Sequence, residues 1–572
     1  MTAEAPDLFS KVMALAKRRG FLWPSYEIYG GVAGFYDYGP MGSRLKNALE
    51  ALWRKYYVAG EGFAELEAPV IAPEPVFKAS GHLEKFSDIM VECTKCGEAL
   101  RADHLLAELF PGENPPTTLE DTSRALKRHD VRCPNCKGGL GEPYPFNLMF
   151  RTFIGPGIKR TGYMRPETAQ SMFLDFGMLY RHFREKLPFG AVQIGKGFRN
   201  EIAPRQGIIR LREFNMAEAE VFFDPQKKAR HPRFVEVAGL KMHLVPNEGP
   251  EADLTLGEAV SRGIMAHESI AYFVGITAKF LLEAGVNPAK LRFRQHAKDE
   301  MAHYAADCWD AEVELSFGWT ECVGIADRTC YDLEAHMKAS GADLRAYTRF
   351  DEPRTVEKTV ISPVHNVLGP RYKKDAKDIV KALEALEACT IEGKEFADVD
   401  IGGKKVRVDK DCYTIKKVSE TANGVWYTPH VIEPSYGIDR ILYTILEHSY
   451  SETVKEGEPY TVLKLRPSMA PIQAGVFPLT GKDELVMVAE DIEKRLREAG
   501  ISTYLDASDS IGRRYARMDE VGTPFCITVD FDGLKDGTVT IRDRDSTRQK
   551  RVLSVGIAGA VVELLAGRQS HF

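Results

Sequence analysis

Leu45, Leu49, Leu52 and Tyr56 recur at helical spacing after Gly39-Pro40, which predicts a long helix running through Tyr57. Upstream, Phe9, Val12, Met13, Leu15 and Ala16 fit a short amphipathic helix. Gly60-Glu61-Gly62 ends the long helix, and Phe63, Leu66 and Pro69-Val70-Ile71 read as an extended strand. A further helix is expected from Arg165, with Pro166 in its first turn and Ala169, Met172, Phe173 and Phe176 on one face. The apolar runs 190–201 and 208–223 flank the turn-forming stretch APRQG and predict a hairpin-like strand pair. Residues 226–300 read as mostly helical, and 341–425 as helices alternating with short strands and many lysines. The segments 312–334 and 426–448 each read as a strand followed by a helix. After Pro467 the pattern alternates regularly: strands at 474–477, 502–505, 525–529 and 538–542, helices at 484–499 and 511–521. That alternation marks a separate α/β domain.

Composition narrows the class without fixing it. A chain of 572 residues suggests three or four domains, and 44% hydrophobic with 28% charged residues is ordinary for a globular protein. The net charge, 76 − 82 = −6, argues against a general nucleic-acid coat but allows one basic face. No stretch of about 20 apolar residues could span a membrane. The N-terminal residues lack the uninterrupted apolar core of a secretory signal, so a cytoplasmic protein is expected. Ten cysteines are too few for a disulfide scaffold. Four of them form two CxxC pairs, Cys93/Cys96 and Cys133/Cys136, which suit a tetrahedral, closed and therefore structural zinc site. The loop-rich block they bracket, about 91–140, reads as a zinc-ribbon-like insertion. Cys308, Cys322, Cys330, Cys389, Cys412 and Cys526 show no ligand spacing and are expected to be small buried side chains.

The densest chemistry lies in FRNEIAPRQGIIRLREF at 198–214, where arginines and a glutamate flank the Pro/Gly connection. Such a set can fix cations beside developing phosphate charge and offer an acceptor to a base amine, although a charged hairpin facing solvent would look the same. EPSYGIDR at 433–440 places a glycine and an arginine at a helix entry, and GFAELEAPVI at 62–71 closes a strand with proline.

In this order the three segments resemble the signature motifs of class II aminoacyl-tRNA synthetases: Pro69 in motif 1; Arg199, Glu201, Arg210 and Phe214 in motif 2; Gly437 and Arg440 in motif 3. RPETAQ at 165–170, REFNMAEAE at 212–220, GWTECVGIADRTCYDL at 318–333 and VIEPS at 431–435 are similar to the dimeric archaeal/eukaryotic glycyl-tRNA synthetases. The resemblance implies an α+β fold: an antiparallel sheet with flanking helices over 1–460, insertions at about 91–140, 226–300 (helical) and 341–425 (tRNA-contacting), and an anticodon-binding domain at 465–572. It implies a homodimer through motif 1, with ATP, glycine and tRNA-Gly as partners. Glycine would meet Arg101, Glu167, Glu218, Glu433 and Ser435. ATP would meet Arg199, Asn200, Glu201, Arg210, Leu211, Phe214, Glu321, Cys322, Gly437 and Arg440, with Mg²⁺ on Glu321. Arg199, Glu201 and Arg440 would carry catalysis. In motif 3, Asp439 stands where some relatives carry glycine.

Physical chemistry is consistent with this set. Glycine offers only an ammonium and a carboxylate, so carboxylates around one ammonium make a demanding site, and larger amino acids are rejected by volume without editing. Adenylate formation needs no general base, so His82, His296 and His303 are given no catalytic role. Basic residues of the last domain, Arg513, Arg514, Arg517, Arg542, Arg544, Arg548, Lys550 and Arg551, are candidates for tRNA contacts. A non-catalytic binding protein on the same fold, such as a polymerase accessory subunit, would keep the sheet and lose the charged set.

Overall fold

The structure is a computed structural model that describes residues 7–112, 116–157, 160–202, 204, 206–297, 305–386, 391, 394–402, 404–455 and 457–568. It comprises two compact units, Met1–Leu344 with Pro429–Phe572, and Arg345–Thr428.

A nine-stranded sheet organises the first unit. Across the sheet its strands run 252–255, 241–245, 291–295, 307–315, 318–329, 430–437, 213–223, 189–198 and 64–65. Pairing is antiparallel except where 64–65 meets 189–198 and where 241–245 meets 291–295. The central strands alternate as period-2 geometry requires. On Glu213–Phe223, Ala217, Ala219 and Val221 join the main hydrophobic core, while Glu218 and Glu220 point to the opposite face. The core face is covered by Glu268–Ala284, an almost wholly buried helix, with Pro40–Arg54 and Ile438–Ser449 beside it.

Several expectations need correction. The 226–300 segment is not mainly helical: strands 241–245, 252–255 and 291–295 complete one end of the main sheet. Its many buried apolar residues favoured the helical reading, because short apolar runs carry no decisive period. The helix expected from Arg165 begins at Ala169. Arg165 is instead buried, donating to the carbonyls of Ala68 and Lys196 and to Gln193. The extended run 63–71 is two short strands, Ala64–Glu65 and Ile71–Pro73, in different sheets.

The second unit also departs from short alternating elements. Its frame is a long antiparallel pair, Ala346–Pro363 with Tyr413–Tyr427, plus a hairpin of Phe396–Ile401 with Lys404–Asp409 and helices His365–Tyr372 and Ala376–Ala385. Ile361, Leu368, Ile379, Leu383, Val399 and Val408 give it a core of its own.

The C-terminal region follows the predicted alternation, with strands in the order 503–505, 474–478, 525–529, 538–543 and 549–553. The sequence reading omitted strand Gln549–Leu553 and the helices Phe531–Asp536 and Ile557–Leu565.

Candidate active site

The site lies on the sheet face opposite the main core. Strands 189–198 and 213–223 pair from Phe189↔Phe222 to Phe198↔Glu213, so the chain leaves and re-enters the sheet through 199–212. Gly197 is required here: a Cβ on it would lie 2.6 Å from the Phe214 ring, so only glycine lets that ring lie across the neighbouring strand. The Arg199 guanidinium sits between two rings, 5.3 Å from Phe214 and 5.4 Å from Phe86, and its Nε donates to the Pro166 carbonyl at 3.3 Å. Arg440 enters from the helix after strand 430–437. It donates to the carbonyls of Ile209 (3.1 Å) and Glu321 (2.8 Å) and lies 3.3 Å from the Glu321 carboxylate.

These elements form an open cleft lined by Arg199, Glu201, Arg210, Leu211, Phe214, Glu321, Cys322, Ser435, Gly437 and Arg440. Of the residues assigned to ATP, only Asn200 is not among those lining it; its backbone N–H bonds Leu148 O. Asp439 has a structural role: its carboxylate accepts from the Asn215 backbone (2.6 Å), the Asn215 side chain (2.8 Å) and the Tyr38 hydroxyl, tying the helix entry to strand 213–223.

Three glutamates adjoin the cleft from three separate segments, Glu218 and Glu433 buried and Glu167 slightly exposed. Glu218 Oε2 accepts from the Thr168 N–H and hydroxyl, both at 2.6 Å, and Oε1 accepts from the Ser435 hydroxyl at 2.8 Å. Burial and the nearby Glu167 raise its pKa. Glu433 accepts from Arg328 at 2.8 Å; burial, reinforced by Glu218 and Glu167 and only partly offset by Arg328, pushes its carboxyl up to about 7. Glu167 is held by Gln170 at 2.8 Å and His82 at 3.4 Å. Burial opposes its ionisation, but His82 and Arg328 outweigh burial and hold it below the usual carboxylate range.

Arg101 belongs to a different arrangement. It bonds Asp103 at 2.6 Å, lies 3.3 Å from Asp88, and lines a second cleft with Glu201, Arg210, Glu321 and Arg440. None of these partners is one of the three glutamates, so the structure does not bring Arg101 to the set the sequence assigned it to.

Sequence reasoning also missed members. Thr168 and Arg328 lay inside quoted motifs, yet nothing in a linear pattern marks an arginine that will be 2% exposed and bidentate to Asp332. Glu220 is fully buried, and neither of its carboxylate oxygens has a hydrogen-bond partner among the described residues. The strand's period, which puts 218 and 220 on one face, was the available signal. His296 Nε2 lies 2.7 Å from Asp310, and these two with Cys308 place potential ligand atoms within 4.8 Å of one another, which the cysteine spacing did not suggest. His303 and Cys389 lie outside the described residues.

Cys93, Cys96, Cys133 and Cys136 also come together within 4.8 Å. The Sγ separations are 3.5 Å for Cys93–Cys136 and 3.7 Å for Cys96–Cys133. A tetrahedron of zinc–sulfur bonds of about 2.3 Å has edges near 3.8 Å, so this donor set fits zinc.

In the C-terminal region, Arg514, Arg542 and Arg544 are withdrawn from the tRNA-contact candidates. Arg542 makes a buried bidentate pair with Asp519, and Arg514 and Arg544 donate to buried backbone carbonyls. Arg551 is paired with Asp530 at 2.6 Å.

Residues 473–563 match the model of the family described as anticodon binding domain. Among solved structures, prolyl-tRNA synthetase from Cryptosporidium parvum, complexed with L-proline and AMP, superposes over 98% of this chain and 80% of its own with a TM-score of 0.52. At 10% identity that likeness establishes the class II synthetase fold alone. Curated relatives are far more similar. The chain is 51% identical to the glycine–tRNA ligase of Methanothrix thermoacetophila over 98% of both chains. It is 49% identical to the enzyme of the same name from Methanocaldococcus jannaschii over 96% of this chain and 97% of that one. The Archaeoglobus fulgidus glycine–tRNA ligase is also 49% identical, over 97% of each. With about half its residues shared across nearly its whole length, this chain belongs to the glycine–tRNA ligase family.

Proposed function

We propose that the chain activates glycine with ATP in the cleft between strands 213–223, 318–329 and 430–437, and transfers glycine to the 3′ end of tRNA-Gly. One observation carries the assignment of sites: Ser435 lines the cleft and also donates to Glu218, joining the arginine-lined cleft to a buried acidic pocket. Neither oxygen of Glu218 bonds a cationic side chain among the described residues, which suits a carboxylate that receives an ammonium.

The chemistry follows from these positions. Phe214 stacks on adenine and Glu201 accepts from its exocyclic amine. Glu167, Glu218 and Glu433 hold the glycine ammonium, leaving its carboxylate toward Arg199. A carboxylate oxygen attacks the α-phosphorus, the bond to the β-phosphate oxygen breaks, and pyrophosphate departs toward Arg440. Arg199 stabilises the charge that builds on the α-phosphoryl oxygens. The tRNA terminal hydroxyl then attacks the glycyl carbonyl, forming the ester and releasing AMP. In the first step positioning and charge stabilisation suffice, since the carboxylate nucleophile is already ionised, and in the second the hydroxyl proton passes to the departing phosphate of AMP. Glu321 would hold Mg²⁺, which would neutralise phosphate charge when bound.

The four-cysteine cluster would hold zinc in a structural role, because all four positions are protein thiolates. Segment 62–71 would form a homodimer contact, a reading supported by Ile71, which is 45% exposed in one chain. The unit Arg345–Thr428 would contact tRNA, and the 473–563 region would read the anticodon. ATP–pyrophosphate exchange across a panel of amino acids tests the activity: exchange with glycine alone is expected, and exchange driven by another amino acid to a similar rate would overturn it.

A further inference from the structure

Beneath the three glutamates the charge does not balance. Glu218, Glu220, Glu433 and Asp332 are buried carboxyl groups, and the slightly exposed Glu167 adds its charge to those acting on Glu218 and Glu433. Facing them are Arg328, which bonds Asp332 and Glu433, and His82, which bonds Glu167. Arg165 interacts with Glu218 through space but donates only to backbone carbonyls and Gln193. Buried charges without partners are costly enough that a carboxyl group takes up a proton instead.

The member least able to stay ionised is Glu220. It follows Glu218 on the same face of its strand, is fully buried, and receives no hydrogen bond at either oxygen among the described residues. The charged groups acting on it are Glu433 from strand 430–437, Arg328 from strand 318–329, Asp332 from helix 331–340 and Glu218 from its own strand. The facing helix Ala169–Leu174 carries no charged group: its Gln170 is occupied by Glu167, Asp332 and His336, and its Ser171 donates to the Thr168 carbonyl and accepts from Gln193. From strand 189–198, Ala191 and the neutral Gln193 flank it. Burial, and next the Glu433 carboxylate, drive its pKa well above the ordinary value.

We infer that Glu220 holds a proton in the empty site and that the glycine ammonium, arriving beside Glu218 and Glu433, displaces it to solvent. This rests on the glycine assignment above. The exchange is balanced: one cationic ammonium enters and one proton leaves, so the buried set keeps the same net charge. Glu220 is thus a positioning residue, keeping the acid set short of one negative charge until the substrate supplies the compensating cation. Because a proton is released, glycine affinity must rise with pH wherever the empty site is protonated.

Glycine titrated into the full chain by calorimetry at pH 8, above the value near 7 of Glu433 so that its own proton contributes little, in two buffers of very different ionisation heat, reads the proton directly. Between a half and one proton released per glycine is expected, falling below a quarter in Glu220→Gln, with glycine affinity within tenfold. Equal heats in both buffers, or full release from Glu220→Gln, would overturn the inference. If the variant does not fold, the parent still decides: KM for glycine in pyrophosphate exchange should fall severalfold from pH 6 to pH 8, and a flat profile contradicts the proposal. Absence of glycine binding heat at any pH would overturn the glycine assignment itself, and this inference with it.

Discussion

Ser435 and Glu218 are register partners on adjacent antiparallel strands, and the serine hydroxyl donates to the glutamate Oε1 at 2.8 Å. The pair therefore needs no loop to hold it. A motif 3 strand and a motif 2 strand fix it through the sheet ladder, and Thr168 closes the other oxygen from the opposite side. Sites built on paired strands hold their geometry more tightly than sites on loops.

Arg199→Ala should lower pyrophosphate exchange by roughly 10²–10³-fold, the cost of losing one fixed cation at a developing oxyanion. The guanidinium also lies between Phe86 and Phe214, so ATP binding should weaken as well. A rate within tenfold of the parent, with the fold intact by circular dichroism, would remove Arg199 from the reaction.

Metal analysis of the purified chain should find about one zinc per chain, lost in the double variant Cys93→Ser/Cys96→Ser. The metal-free protein should lose stability around strand Ser87–Glu92 and helix Ala102–Leu109, which pack with the cluster's own small core, and should still bind glycine. Loss of glycine binding without loss of stability would contradict a structural role.

Acid stability should depend on Asp327. Burial alone would raise its pKa, but hydrogen bonds from His267 (3.0 Å) and Lys228 (2.5 Å) outweigh burial and hold it at about 2. A carboxylate depressed in the folded state stabilises the fold above its unfolded pKa, and that stability is lost as pH falls through the folded value. From an ordinary value of 3.8 down to about 2, the contribution is roughly 2 kcal/mol, fading between pH 4 and pH 2. Thermal unfolding followed from pH 6 to pH 2 should show Asp327→Asn less stable at pH 6 and converging on the parent near pH 2. Parallel curves would rule the linkage out.

Much of this architecture could be read from the chain. The helix from Pro40 and the alternating C-terminal elements carry strong periodicity and appear where expected, and the strand pair expected at 190–201 and 208–223 is present but shorter, at 189–198 and 213–223, with 199–212 outside the sheet. The cleft residues were legible through the resemblance of their segments to the class II motifs, and the structure carries those segments on paired strands and a helix entry. What remained hidden depends on side-chain burial decided by distant segments. Arg514 and Arg542 read as a basic face, yet one caps backbone carbonyls inside the domain and the other pairs with Asp519. Arg101 was drawn by its motif to glycine, but two aspartates close to it in sequence and space hold it elsewhere. Glu220 escaped notice because its burial is decided by segments distant in sequence, those carrying Arg328, Asp332 and Glu433 among them.

The central claim is that the buried acidic pocket, and not the arginine-lined cleft, recognises glycine. Its most direct test is to measure glycine and ATP binding separately by calorimetry in the parent and in Glu218→Gln. The substitution keeps the shape that Thr168 and Ser435 hold but removes a charge from the partners of a desolvated cation, a loss that typically costs about 2–5 kcal/mol. The account predicts glycine affinity reduced by at least thirtyfold (a fall of about 2 kcal/mol) with ATP affinity nearly unchanged. Equal loss of both ligands, or loss of neither, would contradict it.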